Sequence, residues 1–171
     1  MLRSIPRRLV LATAVAALAA TAALPAAAHA RTAPRCTVSS LLGELRRPTA
    51  GAGQRQAKLL LTNVTRKTCT LGGFIGGQLL GARNNELPTN VVRNTAKRAK
   101  VVTLTPGQSA TTALQWGAIA GTGDRQSGEC QPTPARIEIT PPNASGHLVL
   151  PWRNGPVCER GRIVVNPLVH A

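Results

Sequence analysis

The chain has 171 residues, 21 lysines and arginines against six acidic residues, and a formal charge of +15 with a sequence pI near 11.7. With 43% hydrophobic residues it can bury a core, which excludes a disordered polycation. Aromatic residues make up only 2%, with no tyrosine, which argues against a base-stacking platform for single-stranded nucleic acid.

Residues 1–30 read as a secretory leader. Arg3, Arg7 and Arg8 precede an apolar run from Leu9 to Leu24, and Pro25 breaks it ahead of the small-x-small site Ala28-His29-Ala30. No cysteine sits at the cleavage site, so the expected product is freely secreted, extracellular or wall-associated, by either the general or the twin-arginine route. The mature chain, residues 31–171, has the length of one domain, and its excess of about twelve positive charges favours anionic partners.

Cys36 to Leu45 reads as a first strand in which Gly43 marks a bulge or an early end, and Pro48 to Gly53 as a loop. From Gln54, Ala57, Leu59 and Leu61 alternate in a strand buried on one side, and Asn63 to Lys67 turns the chain. Asn63-Val-Thr and Asn143-Ala-Ser spell glycosylation sequons by chance in a chain with bacterial-looking export signals. Thr68 to Leu71 begins the next strand. In Gly72-Gly-Phe-Ile-Gly-Gly77 no helical period follows the glycines, so they read as a kink with Phe74 buried, not as a phosphate cradle. Gln78 to Ala82 is a short strand, Arg83 to Glu86 a turn and Leu87 to Arg93 a weak strand.

Asn94 to Lys100 then carries, with Arg93, the densest basic stretch of the mature chain. Arg93, Lys97, Arg98 and Lys100 are the candidate anion-binding residues. Val101 to Trp116 reads as a hairpin around Pro106-Gly107, with Ala110, Thr112, Leu114 and Trp116 on one face of its second arm. Gly117 to Glu129 reads as a long flexible loop that Cys130 pins. Strands follow around Ile137 and Ile139, from His147 to Trp152, and from Arg162 to Leu168. Eight or nine short strands without a convincing helix predict an all-β fold, an antiparallel immunoglobulin-like β-sandwich.

Cys36, Cys69, Cys130 and Cys158 form an even set in an exported chain and read as two disulfides with three possible pairings. Pairing in order closes two loops of about 30 residues. A metal site is not indicated, because C-x-x-C spacing is missing and only His147 and His170 could join the thiols. Catalysis is not indicated either. Asp124 is the only aspartate, the serines lie in turns or strand edges, and Glu138 and Glu159 stand alone in sequence. An enzyme would require His147 and a carboxylate to meet in a cleft. No cofactor is expected.

Leu59-Leu-Leu-Thr-Asn63, Cys69-Thr-Leu-Gly-Gly73, Val102-Thr-Leu-Thr-Pro-Gly-Gln-Ser-Ala110 with Trp116, Cys130 before Pro141-Pro142, and Val157-Cys158 before Pro167-Leu168 together resemble the actinobacterial DUF4232 domain. The resemblance implies an exported envelope domain without an assigned activity, with cysteines paired in sequence order. This chain departs from it at Gly73-Phe-Ile-Gly76, where members usually read Gly-Tyr-Pro-Gly. The function expected is a non-catalytic envelope module whose basic residues contact anionic wall polymer or lipid headgroups. The alternative is a secreted protein-binding or inhibitor-like domain presenting the loop 117–129. Specific nucleic-acid recognition is not expected, since no helix is available for a groove.

Overall fold

Alternation is cleanest in two segments, and these pair with each other at the centre of the fold. In the computed structural model, which describes residues 32–171, β3 (Gln54–Asn63) lies antiparallel to β8 (Ser109–Gly117), with Leu59 opposite Thr112 and Leu61 opposite Ala110. Ala57, Leu59, Leu61, Ala110, Leu114 and Trp116 turn to the same buried side, as their period of two requires. The leader expected over residues 1–30 lies outside the described residues.

Around this pair a seven-stranded sheet runs in the order β1 (Leu41–Leu45), β3, β8, β11 (Arg162–Val165), β6 (Asn90–Arg93). Two short strands flank it: β2 (Thr49–Gly51) beside β3, and β12 (Val169–His170) beside β8. A three-stranded sheet has the order β10 (Leu148–Pro151), β9 (Arg136–Thr140), β5 (Gly76–Leu80), and β4 (Cys69–Gly72) pairs with β7 (Val101–Leu104). One hydrophobic cluster takes side chains from all three sheets, among them Leu61 and Trp116, Ile137 and Ile139, and Leu71 and Leu104. The rings of Trp116 and Trp152 meet within it at 4.9 Å.

The fold is all-β with two disulfides, Cys36–Cys69 and Cys130–Cys158, the pairing in sequence order. Several local expectations change. The Pro106-Gly107 turn forms, with Gly107 at φ +79° and the Gln108 N–H donating to the Thr105 carbonyl at 3.0 Å. Its two arms do not pair as a hairpin, because β7 joins β4 while β8 joins β3. Asn63 separates them. Its backbone N–H donates to the Gln108 carbonyl at 2.9 Å, its carbonyl accepts from Gly107 N–H at 2.8 Å, and its side-chain Nδ2 donates to the Leu104 carbonyl at 3.0 Å. The same Nδ2 donates to Lys67 and Oδ1 accepts from Thr65, so one buried amide also holds the β3–β4 connection. That engagement leaves Asn63 no role as a glycan acceptor.

The stretch from Pro48 is not all loop. Ala52 and Gly53, both at positive φ, turn Thr49–Gly51 back onto β3, a hairpin that its Gly and Ala content conceals. The first strand begins only at Leu41, after a 3-10 turn over Val38–Ser40. Pairing is not wholly antiparallel, since β6 and β11 run parallel. In the glycine kink Ile75, at the position where the family's proline is expected, is the buried side chain, and Phe74 is half-buried with the Arg93 guanidinium 5.8 Å from its ring centre.

Candidate anion-binding groove

Asn94, directly after β6, shapes the basic loop. Its N–H donates to the Val165 carbonyl at 2.9 Å, its Nδ2 to Asn166 Oδ1 at 2.9 Å, and its Oδ1 accepts from Ala96 N–H at 3.2 Å. Asx geometry of this kind folds the next residues back over the end of β11. Asn166 is itself fixed, its carbonyl accepting from the buried Thr112 hydroxyl at 2.7 Å and its N–H donating to Ala113. The loop is thus anchored to β8 through two asparagines.

The result is a groove of about 320 Å³ between this loop and the outward side of β3 and β8. Lys97 and Arg98 form one bank, Lys58 and Gln56 the other, and Thr111 and Asn166 lie between them. No acidic residue lines it, and none of the three ion pairs among the described residues involves these cations. The Thr111 hydroxyl already donates to the Leu59 carbonyl at 3.0 Å, so three side chains of one sign, with the Gln56 and Asn166 amides beside them, can hold a phosphate or carboxylate by charge and by hydrogen bonds.

Of the residues singled out in sequence, Lys97 and Arg98 come together here. Arg93 turns toward Phe74, and Lys100 precedes β7, its carbonyl beside Gly72; neither lines the groove. Lys58 escaped the sequence reading because it lies on a strand far from the basic run. Its outward position between buried Ala57 and Leu59 was the available signal.

The loop beyond β8 is tethered rather than free. Cys130–Cys158 ties its end to a turn, Cys158–Gly161, in which Glu159, Arg160 and Gly161 all have positive φ. Successive left-handed residues point their N–H groups to one side and form an anion nest. Asp124 fills it, accepting from Glu159 N–H at 2.6 Å and Arg160 N–H at 3.0 Å, as well as from Gly121 N–H and Gln131 Nε2. Desolvation raises the Asp124 pKa, but these four hydrogen bonds outweigh it and hold the carboxyl well below the usual carboxylate range. Asp124 also lies close to the Cys130 and Cys158 sulfurs, whose mutual bond leaves no thiolate to ligate a metal.

His147, exposed just before β10, has its Nε2 3.3 Å from Oε1 of the half-buried Glu138 on β9. Neither residue lines the groove. His170 sits exposed in β12, near the end of the chain.

Residues 36–169 match the family described as a domain of unknown function, DUF4232. The chain belongs to the DUF4232 family. In this DUF4232 domain the matched region opens at the first cysteine and closes within β12, so it contains both disulfides, the groove and the Asp124 nest. No curated protein and no solved structure matches the chain.

Proposed function

We propose that this DUF4232 domain is an exported, non-catalytic module that attaches to anionic polymer of the cell envelope, wall polymer or lipid headgroups, through Lys58, Lys97 and Arg98. The observation that carries the reading is the acid-free groove in which these three cations converge from separate parts of the chain. Two disulfides suit an oxidising compartment outside the cytoplasm, in keeping with the leader expected over residues 1–30. The non-catalytic part rests on the titratable groups. Asp124 is consumed by structural hydrogen bonds, and the His147–Glu138 pair stands on an open surface with no nucleophile among its recorded partners.

The frame we infer is an immunoglobulin-like sandwich, supported by the single core shared among the three sheets. The parallel β6–β11 pair is a local variation on it. Arg93 and Lys100 serve as a peripheral basic surface that raises encounter rates without lining the groove.

A second reading, protein binding by the 117–129 loop, is favoured by exposed Ile119 on a segment stiffened by Cys130–Cys158 and Asp124. The two separate experimentally. Residues 31–171 are sedimented with purified actinobacterial walls and with the same walls stripped of anionic polymer. The groove reading expects retention on the first only, abolished in a Lys58→Gln, Lys97→Gln, Arg98→Gln variant. Equal retention on stripped walls, or by the variant, would overturn it.

A further inference from the structure

A second cavity, of about 610 Å³, lies at the ends of β1 and β10. The two strands approach closely at Gly43, where an added Cβ would come within 3.1–3.3 Å of Leu150 and Leu148 side-chain atoms. The cavity lies beyond that contact. Leu45, Arg47 and Pro48 form one wall, and Pro151, Arg153 and Asn154 the other.

The polar side chains of this lining offer donors and very few acceptors. Arg47 and Arg153 carry guanidinium groups, which only donate, and neither takes part in the ion pairs among the described residues. Asn154 is 5% exposed and its Nδ2 is buried without a hydrogen-bond partner, a costly arrangement. Its backbone carbonyl, which could have served the site as an acceptor, is already taken by Arg55 Nη1. That contact also explains Gly155, at φ +75°, where any Cβ would strike the same guanidinium nitrogen. Leu45, Pro48 and Pro151 supply an apolar floor beside these donors.

We propose that this cavity binds a small organic anion, in which a carboxylate or phosphate group is carried on an apolar body. Two guanidiniums match the oxygen geometry of either head, and Asn154 can add a donor once the anion enters. The apolar residues take the body, and the volume accommodates a compact molecule. This site shares no residue with the Lys58 groove and stands or falls separately from it.

The two tryptophans of the chain give a direct readout, since Trp152 immediately precedes Arg153 and contacts Trp116. Residues 31–171, which include the whole compact unit Thr32–Ala171, are titrated with hexanoate, hexyl phosphate and hexanol by tryptophan fluorescence and by calorimetry. Saturable binding of hexanoate, hexyl phosphate or both is expected, with hexanol about tenfold weaker or more. Whichever anion titrates names the head group. Arg47→Gln with Arg153→Gln is expected to weaken binding by about tenfold. Both side chains are exposed, so unchanged near-ultraviolet dichroism will confirm the fold. The groove variant is expected to bind as the parent does. Equal binding of hexanol, indifference to the arginine changes, or no saturable signal by either method would overturn the proposal.

Discussion

Removing the Asn63 side chain tests how the two crossovers between sheets are held. Asn63 is fully buried, and its amide makes four side-chain hydrogen bonds: Nδ2 to the Lys67 and Leu104 carbonyls at 2.8 and 3.0 Å, and Oδ1 from the Thr65 N–H and hydroxyl at 3.0 and 2.8 Å. In Asn63→Ala the Thr65 groups and the carbonyl of exposed Lys67, which also accepts from the Thr65 hydroxyl at 3.1 Å, can turn to water, at a loss of about 1 kcal/mol, whereas the buried Leu104 carbonyl is left facing a dry gap at ~2–3 kcal/mol. The sum, roughly 3–4 kcal/mol, corresponds to a melting point lower by about 10 °C for a domain of this size. Asn63→Leu keeps the volume but not the donors and should lose a similar amount. Asn63→Asp replaces the amide donor with a carboxylate facing two carbonyls, so it should be the worst of the three at neutral pH and recover partly in acid, when a proton restores a donor. Urea unfolding with both disulfides intact measures all three. A loss under about 1 kcal/mol for Asn63→Ala would show that the Pro106-Gly107 turn alone separates β7 from β8, and the reasoning would fail.

Asp124→Asn removes the charge from the nest of Glu159 and Arg160 N–H groups and should lower the melting point at neutral pH. The folded pKa of Asp124 is depressed, so its stabilising effect is present above the unfolded value of about 3.9 and is lost as pH falls toward the folded one. Melting curves of parent and variant should therefore converge in strong acid, and a gap independent of pH would refute the assignment. Gly161 and Gly107 both have positive φ, yet a Cβ at Gly161 would lie 1.8 Å from the Pro88 carbonyl oxygen while one at Gly107 would meet nothing within 4 Å. Gly107→Ala should cost about 1–2 kcal/mol of backbone strain, and Gly161→Ala should prevent accumulation of folded protein, both read from yield and thermal melting. Replacing Cys130 and Cys158 with serine should cost roughly 3 kcal/mol and expose the segment before Cys130 to limited proteolysis. Replacing Cys36 and Cys69 should cost a similar amount and leave that segment protected.

What could be read from the sequence was set by how local its causes are. The faces of β3 and β8 follow from a period of two and needed only Leu59, Leu61, Leu114 and Trp116 in place. The Pro106-Gly107 turn was equally local, but a turn dictates only the path of four residues. Which sheet each arm enters depends on Asn63, more than forty positions earlier, and short-range pattern does not reach that far. The strand Thr49–Gly51 was hidden because Thr, Ala and Gly carry no apolar alternation, and it forms by pairing to β3. The parallel β6–β11 pair likewise has no local signature.

The groove shows the same division. Lys97 and Arg98 stood out as a run, but Lys58 joins them only through the pairing of β3 with β8 and the Asn94–Asn166 hydrogen bond that folds the loop over it. Arg93 stood in the same run and faces Phe74 instead. Charge density along the chain therefore located the loop and left its membership to the tertiary structure. Arg47, next to Arg46, and Arg153, alone before Asn154-Gly155, gave no signal, because nothing in the sequence links two positions more than a hundred residues apart that line one cavity.

The central claim is that a particular groove, not net charge, attaches this domain to anionic envelope polymer. Its most direct test compares wall binding of the parent with two variants that lose equal charge: Lys58, Lys97 and Arg98 to Gln, and the exposed Arg66, Arg83 and Arg125 to Gln. Binding is followed from about 0.1 M to about 1 M salt, as the Debye length falls from roughly 10 to 3 Å. The account predicts salt-sensitive binding that the groove variant loses and the control variant largely keeps. Equal losses in both variants would contradict it and reduce the attachment to overall positive charge.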